Sequence, residues 1–210
     1  MPWSTADVEA AGGYRVVYAD SGLTYRNQAR GGTDRHYRTA MTLAEAKALP
    51  VARLAARDSV LFMWTTWPYL VEGHQAHDLA EAWGFRPVTI AFVWVKLTAN
   101  GLEHVGNGWW TRSNTEVCLL GVRGRARRAA NSGPPASVRQ LYRERLLEGE
   151  LEPEAWEATV GRHSEKPALF RDRIVQLMGD VPRLEMFARE RAEGWDAHGD
   201  EVPGGADVVL

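Results

Sequence analysis

Short apolar runs alternate with segments of helical periodicity along this 210-residue chain. After VVY at 16–18, three longer runs are rich in β-branched and aromatic residues: SVLFMWTT (59–66), TIAFVWVK (89–96) and TEVCLLGV (115–122). Continuous apolar runs of this length are typical of strands covered on both faces, as in parallel sheets. Strands that alternate with helices predict a doubly wound α/β fold.

Two helices are predicted before the third of these runs. Thr42, followed three residues later by Glu45, forms a capping-box pattern at the start of TLAEAKAL. YLVEGHQAHDLAEAWGF (69–85) has helical periodicity and reaches Gly84, a residue type that often follows the last turn of a helix. Both segments have the length expected of helices that cover a sheet.

A further helix and strand are predicted near the end of the chain. SEKPALFRDRIVQLMGD begins with a capping residue type at Ser164, accepts a proline in its first turn and ends at Gly179. RLEMFAR (183–189) follows as a last strand. We therefore expect a final helix–strand unit that returns to the sheet.

The stretch 123–158 departs from the alternating pattern. It opens with RGRARR, passes through a Pro- and Gly-containing segment and ends in an acidic, helix-favouring sequence. We interpret it as an insertion on the ligand side of the sheet. The organisation predicted is a single domain over 1–202 with this insertion, and a flexible tail over 203–210.

Composition narrows the class of protein further. A net charge of -2 is not that of a protein coated with nucleic-acid-binding charge, although it allows a local basic patch. The lone Cys118 excludes a disulfide within the chain and a cysteine-rich metal site, and it fits a reducing, cytoplasmic location. No run of eighteen apolar residues and no secretory signal is present, so we expect no membrane association.

Polar residues that could take part in binding or catalysis follow several predicted strands. Asp20 comes just after the first strand, and Lys96 comes at the end of FVWV. Ligands of open α/β sheets bind outside the carboxyl ends of the strands, where such residues lie. Other candidate motifs lie at predicted strand ends or helix starts: RHSEKP (162–167), and LEMFARE (184–190) with GWDAHGDE (194–201). GNGWWTRSNTEV (106–117) is a Gly- and aromatic-rich loop that enters a strand.

Taken in order, these motifs resemble the messenger-RNA adenosine methyltransferase 70-kilodalton-subunit (MT-A70) family of adenine-N6 methyltransferases, in its bacterial and phage form. That family has an acid-Pro-Pro-Trp motif after its first strand, then a His-Tyr element, here RHYRTAMTL, and a helix ending in Trp-Gly-Phe, here EAWGF. The VWVK, GNGWWTRSNTEV, RHSEKP, LEMFARE and GWDAHGDE segments match its later motifs. The resemblance extends from about residue 14 to 202.

The resemblance implies a Rossmann-like class I methyltransferase fold with circularly permuted strand order, in which the catalytic strand comes first and the cofactor strand last. The implied cofactor is S-adenosylmethionine, and the implied substrate is the 6-amino group of adenine. Lys166, near a helix start, would bind the cofactor carboxylate, because ammonium charge and unpaired N–H groups both favour an anion there. The remaining cofactor residues by resemblance are Asp20, Ser164, Phe187, Arg189, Asp200 and Glu201.

The catalytic motif of this chain departs from that of the family. Where the family has Asp-Pro-Pro-Trp, the chain has Asp20-Ser21-Gly22-Leu23, followed by Tyr25. The carboxylate is retained, whereas Ser and Gly sample more backbone conformations than two prolines. Leucine also has no π face, and stacking of a base on an aromatic side chain contributes roughly 1–3 kcal/mol. The sequence leaves open whether Tyr25 or one of the Trp109–Trp110 pair supplies a replacement surface.

Nucleic acid is the polymer that the resemblance implies, and DNA is favoured over RNA because the small single-domain build is that of bacterial and phage members. The candidate contacts with nucleic acid are Arg123, Arg125, Arg127, Arg128, Lys96 and Trp110, since basic side chains bind phosphates and aromatic ones stack on bases. A homodimer or heterodimer is left open by the sequence.

Two alternatives remain at this point. The divergent catalytic motif is also what a catalytically silent methyltransferase-like subunit would carry, with the fold retained to support a partner. The changed motif could instead accept a different substrate, such as a free nucleoside or another small molecule.

Overall fold

The computed structural model describes residues 2–20, 41–98, 100–106, 110–128, 138–145 and 166–210. Within these residues it contains one seven-stranded sheet. Its strands are β1 (Tyr14–Asp20), β2 (Ala55–Thr65), β3 (Arg86–Leu97), β4 (Thr115–Arg123), β5 (Leu141–Arg145), β6 (Arg183–Met186) and β7 (Asp196–His198). The helices are α1 (Thr5–Ala10), α2 (Leu43–Ala48), α3 (Val51–Leu54), α4 (Trp67–Val71), α5 (Gln75–Ala82) and α6 (Leu169–Met178).

The strand order is β5-β3-β4-β2-β1-β6-β7. The first strand pairs in parallel with both β2 and β6, so the strand that ends at Asp20 and the late strand that the resemblance assigns to the cofactor are neighbours. Among the seven strands of the described residues, only β4 is antiparallel to its neighbours, β2 and β3. The α/β prediction is therefore confirmed, with one reversed strand that the apolar pattern did not indicate.

Helices cover both faces of the sheet. On one face, α2, α3 and α5 bury a cluster that includes Leu79 and Trp83 against Leu61, Met63 and Leu184. On the other face, α6 inserts Phe170 and Ile174 among a second cluster, which is completed by Val16, Tyr18, Val60, Phe62, Trp64, Phe92, Trp94 and Cys118. Burial on both faces explains why the strands are continuous apolar runs.

Local sequence signals set several of the observed helix ends. The capping box of α2 is formed, with Thr42 and Glu45 bonded reciprocally. Gly84 follows α5 with a φ of 84°, and Gly179 follows α6 with a φ of 75°, in the region that glycine adopts most easily. These three predictions are confirmed.

The segment 69–85 is not the continuous helix that its periodicity predicts. Gly73 and His74 both have positive φ, and a short 3-10 turn (Glu72–His74) separates α4 from α5. The helix is interrupted because a left-handed residue cannot continue the regular backbone. The predicted last strand is also shorter, since β6 ends at Met186, and a further strand, β7, pairs with it.

The predictions for the insertion and for the C-terminal tail also need correction. Part of the insertion, expected to be helical, is β5, which pairs in parallel with β3 at the edge of the sheet. Residues 203–210 were expected to be a flexible tail, yet Asp207 and Val208 both donate backbone hydrogen bonds to Ala197 in β7. No helix among the described residues is long and apolar enough to cross a membrane.

Candidate active site

Three parallel strands end together at one edge of the sheet. Ala19 of β1 lies beside Met186 of β6, which lies beside His198 of β7. Because these residues are in register, Asp20 and the segments that follow β6 and β7 meet at the same edge. This is the carboxyl edge, where ligands of open α/β sheets bind.

Lys166 lies at this edge just before α6, with 4% of its side chain exposed. Its Nζ is 2.8 Å from Oδ2 of Asp20 and 3.0 Å from Oε2 of Glu116, and it lies 5.6 Å from the ring centroid of Trp64. Asp20, from the first strand of the sheet, and Lys166, from near the last helix, are thus in direct contact. A buried ammonium group requires such partners, because an unpaired buried charge is strongly destabilising.

Glu116, in β4, extends this cluster to a second lysine. Lys96 Nζ lies 2.6 Å from Oε1 of Glu116 and 5.0 Å from the ring centroid of Trp94. Burial acts to raise the pKa of Glu116, but attraction and hydrogen bonds from Lys166 and Lys96 outweigh it and lower the pKa to about 2. We call Asp20, Lys166, Glu116 and Lys96 the ionic quartet; its formal charges cancel.

A second ion pair fixes the helix that follows Lys166. Arg171 of α6 donates to both carboxylate oxygens of Glu185 in β6, over 2.8 and 3.0 Å, and also to Glu190 over 3.1 Å. Burial raises the pKa of Glu185, and Arg171 acts in the opposite direction. The two-pronged contact holds α6 in one orientation on the sheet, because the guanidinium fork matches a carboxylate geometrically.

The segments after β6 and β7 contact each other closely. A side chain at Gly199 would overlap the backbone of Ala188, so only glycine permits this approach. Arg189 Nε lies 3.8 Å from Oε2 of Glu201, while Phe187 has a φ of 61° and stacks on Trp83 with ring centroids 6.3 Å apart. Polar side chains and tightly packed backbone therefore form one wall beside Asp20.

Comparison with known proteins decides the family. The MT-A70 family model matches residues 14–201. The chain belongs to the MT-A70 family. This family has the class I methyltransferase fold, with which the mostly parallel seven-stranded sheet agrees.

Two relatives of this MT-A70 protein are named as methyltransferases. It is 32% identical over 163 residues to the Type II methyltransferase M.MunI of Mycoplasma sp, covering 78% of this chain and 59% of the relative. It is 30% identical over 189 residues to the N6-methyladenosine RNA methyltransferase MTA1 of Cryphonectria parasitica, covering 84% of this chain and 48% of the relative. The chain thus spans between about half and three fifths of the length of these relatives.

Five predicted site residues of the MT-A70 protein lie outside the described residues: Ser21, Gly22, Leu23, Tyr25 and Ser164. The others that resemblance assigned to the cofactor lie at one edge of the sheet: Lys166 contacts Asp20 at the end of β1, and Phe187, Arg189, Asp200 and Glu201 follow β6 and β7. Asp200 is exposed there, and Glu201 is half-buried. Their roles remain predictions, and their common location is what those roles require.

The arginine run RGRARR begins at the edge of the sheet opposite to that of Asp20, and not on the ligand side where it is predicted. Since β4 is antiparallel, Arg123 lies opposite Ser59 near the start of β2, whereas Asp20 lies opposite Trp64 near the end of β2. Arg123 donates to the backbone carbonyls of Ala52 and Ala55. The expectation that this part of the insertion lies on the ligand side of the sheet is therefore wrong, whereas contact of Arg123, Arg125, Arg127 and Arg128 with nucleic acid stays a prediction.

The two other candidates for nucleic-acid contact, Lys96 and Trp110, have different surroundings. Lys96 is paired with Glu116 within the ionic quartet, so its charge is already balanced. Trp110 is 99% exposed in the connection between β3 and β4. That connection leaves and re-enters the sheet at its carboxyl edge, so Trp110 belongs to the same end of the molecule as Asp20.

Two residues of this end were not predicted from the sequence. Glu116 is a charged residue at the start of the apolar run TEVCLLGV, and such a residue in a buried strand is a signal for a paired or functional charge. Trp67 follows β2 and remains 40% exposed although its indole N–H donates to Oγ1 of Thr115 over 2.8 Å. Its position depends on the pairing of β2 with β4, which the sequence pattern does not contain.

Proposed function

We propose that this MT-A70 protein is an S-adenosylmethionine-dependent methyltransferase that acts on the 6-amino group of adenine in nucleic acid, with DNA as the first substrate to test and RNA as the second. The observation that carries the proposal is the direct contact of Asp20 with Lys166 at the carboxyl edge of β1 and β6. The family match over 14–201 and the methyltransferase names of both relatives support it.

The residues at this edge fit the cofactor chemically. S-adenosylmethionine presents a carboxylate, a ribose diol and a sulfonium, and it supplies the methyl group that is transferred to nitrogen with release of one proton. Lys166 provides the cation for the carboxylate, and Arg189, Asp200 and Glu201 provide donors and acceptors for the ribose. The close approach of Gly199 to Ala188 supports a shaped backbone wall beside them.

Asp20 is the residue that we assign to the target amine. The lone pair of an exocyclic adenine nitrogen is delocalised into the ring, so the nitrogen is a weak nucleophile. A carboxylate that accepts a hydrogen bond from the amino group favours its pyramidal form and is most effective when held rigidly. Lys166 holds Asp20 by its 2.8 Å contact with Oδ2, and Glu116 in turn holds Lys166.

The test combines calorimetry with a transfer assay. We expect micromolar-class binding of S-adenosylmethionine to the wild-type chain, and transfer of labelled methyl groups to adenine-containing DNA or RNA. Asp20→Asn keeps the shape of the side chain but removes its charge, and we expect transfer to fall by at least about 100-fold, the size typical of a lost electrostatic contact in a transition state.

Asp58→Asn is the matched control, because Asp58 accepts from the backbone of Arg125 at the opposite edge of the sheet. It should transfer methyl groups at the wild-type rate. Absence of heat with wild-type protein at millimolar cofactor would contradict the proposal. Equal transfer rates for Asp20→Asn and wild type would contradict the role of Asp20.

A catalytically silent subunit is the second candidate function, and one observation favours it. The chain has Ser21-Gly22-Leu23 where the family has Pro-Pro-Trp. Restoring Pro-Pro-Trp at these three positions separates the two functions. Methylation that appears only in the restored variant would favour the silent subunit, whereas activity of the wild-type chain that is lost in Asp20→Asn favours the enzyme.

A further inference from the structure

The loss of tryptophan at position 23 removes an aromatic surface from the catalytic motif, and Trp67 is an aromatic residue that the structure places at the same edge of the sheet. Trp64 of β2 lies opposite Asp20. Three residues later, after β2 has ended, Trp67 begins α4. Its Cα is therefore within about 11 Å of that of Trp64, the reach of three residues of extended chain.

The indole ring of Trp67 is held in place although it is exposed. Its N–H donates to Oγ1 of Thr115, the first residue of β4, over 2.8 Å. Pro68 follows it at the start of α4, where its fixed φ stiffens the turn. An exposed aromatic ring that is already ordered loses little conformational freedom when a planar ligand stacks on it.

Thr115 connects Trp67 to the ionic quartet. The residue after it, Glu116, binds Lys166, which in turn binds Asp20. Consecutive residues of a strand point to opposite faces of the sheet, so Trp67 and Lys166 flank the same strand ends from two sides. A base that stacks on the indole would lie across the carboxyl end of β2 and the start of β4, beside β1, which carries Asp20.

We propose that Trp67 is the stacking surface for the unstacked target base, in place of the tryptophan that the catalytic motif has lost. This inference rests on the proposed function for the identity of the base. It assigns the residue that receives a base when that base leaves its stack, a step that enzymes acting on bases in polymers require. Stacking depends on the ring of Trp67, and positioning of the ring depends on Thr115.

The probes are a labelled strand of oligo(dA) and an abasic strand of the same length, whose phosphates are equal in number. We expect the wild-type chain to bind oligo(dA) more tightly than the abasic strand. Trp67→Leu should weaken binding to oligo(dA) by roughly 5- to 150-fold and leave binding to the abasic strand unchanged, because each stacked base contributes through its π face. Trp67→Phe should restore most of the difference.

Val71→Ala is the control for disturbance of α4, because Val71 is an exposed residue of the same helix and should not alter either affinity. Thr115→Val keeps the indole but removes its acceptor, so we expect an effect smaller than that of Trp67→Leu. Thermal unfolding and calorimetry with S-adenosylmethionine should be unchanged in Trp67→Leu, which separates stacking from folding and from cofactor binding.

Several outcomes would overturn the inference. One is a wild-type chain that shows no preference for oligo(dA) over the abasic strand, and another is a Trp67→Leu variant that retains the preference. Loss of the preference in Trp110→Leu with retention in Trp67→Leu would assign stacking to the β3–β4 connection instead. Failure of methyl transfer in the wild-type chain would contradict the proposed function alone, since the binding measurement does not depend on it.

Discussion

Glutamine in place of Glu116 removes one negative charge from the ionic quartet while keeping nearly the same shape. The amide also resembles a protonated glutamic acid, since both are neutral and both form hydrogen bonds. The cost of this substitution therefore approximates the cost of protonating Glu116 in the folded protein. We expect Glu116→Gln to fold and to be clearly less stable than the wild type at neutral pH.

The pKa of Glu116 gives the magnitude of this loss. Burial alone would raise the pKa, but Lys166 and Lys96 lower it from the ordinary 4.5 to about 2. A difference of this size corresponds to a stabilisation on the order of 3 kcal/mol at neutral pH, at 1.36 kcal/mol for each pKa unit. The folded-state pKa is lowered, so the stabilisation is complete above about pH 4.5 and is lost as the pH falls towards 2.

Denaturant unfolding at a series of pH values measures this effect. We expect Glu116→Gln to lower the free energy of unfolding by about 3 kcal/mol at neutral pH and by progressively less below pH 4.5, because Glu116 of the unfolded wild-type chain then takes up a proton while the folded chain does so only near pH 2. Glu103→Gln is the control. Glu103 pairs with Arg143 over 3.4 Å in an exposed position, and its loss should cost under about 1 kcal/mol. Equal stability of Glu116→Gln and wild type at neutral pH, or a difference that does not depend on pH, would refute the reasoning.

Two further predictions concern the ends of the sheet. Arg123→Met should lower the free energy of unfolding in a denaturant titration by about 2 kcal/mol, because two backbone carbonyls lose a charged donor, and it should leave oligonucleotide affinity unchanged. Arg127→Met is the control, because Arg127 is exposed, and it should change the free energy of unfolding by under about 0.5 kcal/mol. Gly199→Ala should lower the free energy of unfolding by about 1–3 kcal/mol and weaken cofactor binding in calorimetry, since the added methyl group overlaps the backbone of Ala188. Wild-type cofactor affinity in this variant would contradict the assignment of the segments after β6 and β7 to the cofactor site.

Local signals account for the features that could be predicted from the sequence. The capping box at Thr42 and the helix ends at Gly84 and Gly179 depend on residues that interact within a few positions of each other. The apolar runs locate the strands because burial on both faces leaves few polar positions in them. The assignment of Asp20 and of the residues after β6 to one site came from the resemblance to the family, since apolar periodicity carries no information on strand order.

The features that could not be predicted depend on pairing between distant segments. The break in the alternating pattern predicts an insertion that begins with RGRARR, but it does not indicate the direction of the strand before it. An antiparallel β4 carries Arg123 to the opposite edge and brings its first residues, Thr115 and Glu116, to the edge of Asp20. Because this one strand is reversed, the start of β4 lies at the site, and its end does not.

That same reversal gives the site its particular construction. In a wholly parallel sheet, the residues beside Asp20 would all follow strands, and they would lie on connecting segments. Here Glu116 enters from the beginning of a paired strand, where it lies opposite Trp94 of β3 and the next residue, Val117, lies opposite Thr65 of β2. The carboxylate that orders Lys166, and the hydroxyl that orders Trp67, therefore belong to the sheet itself. The start of β4 is thus a paired element of the sheet, and the proposed positioning of Asp20 and of a stacked base depends on it.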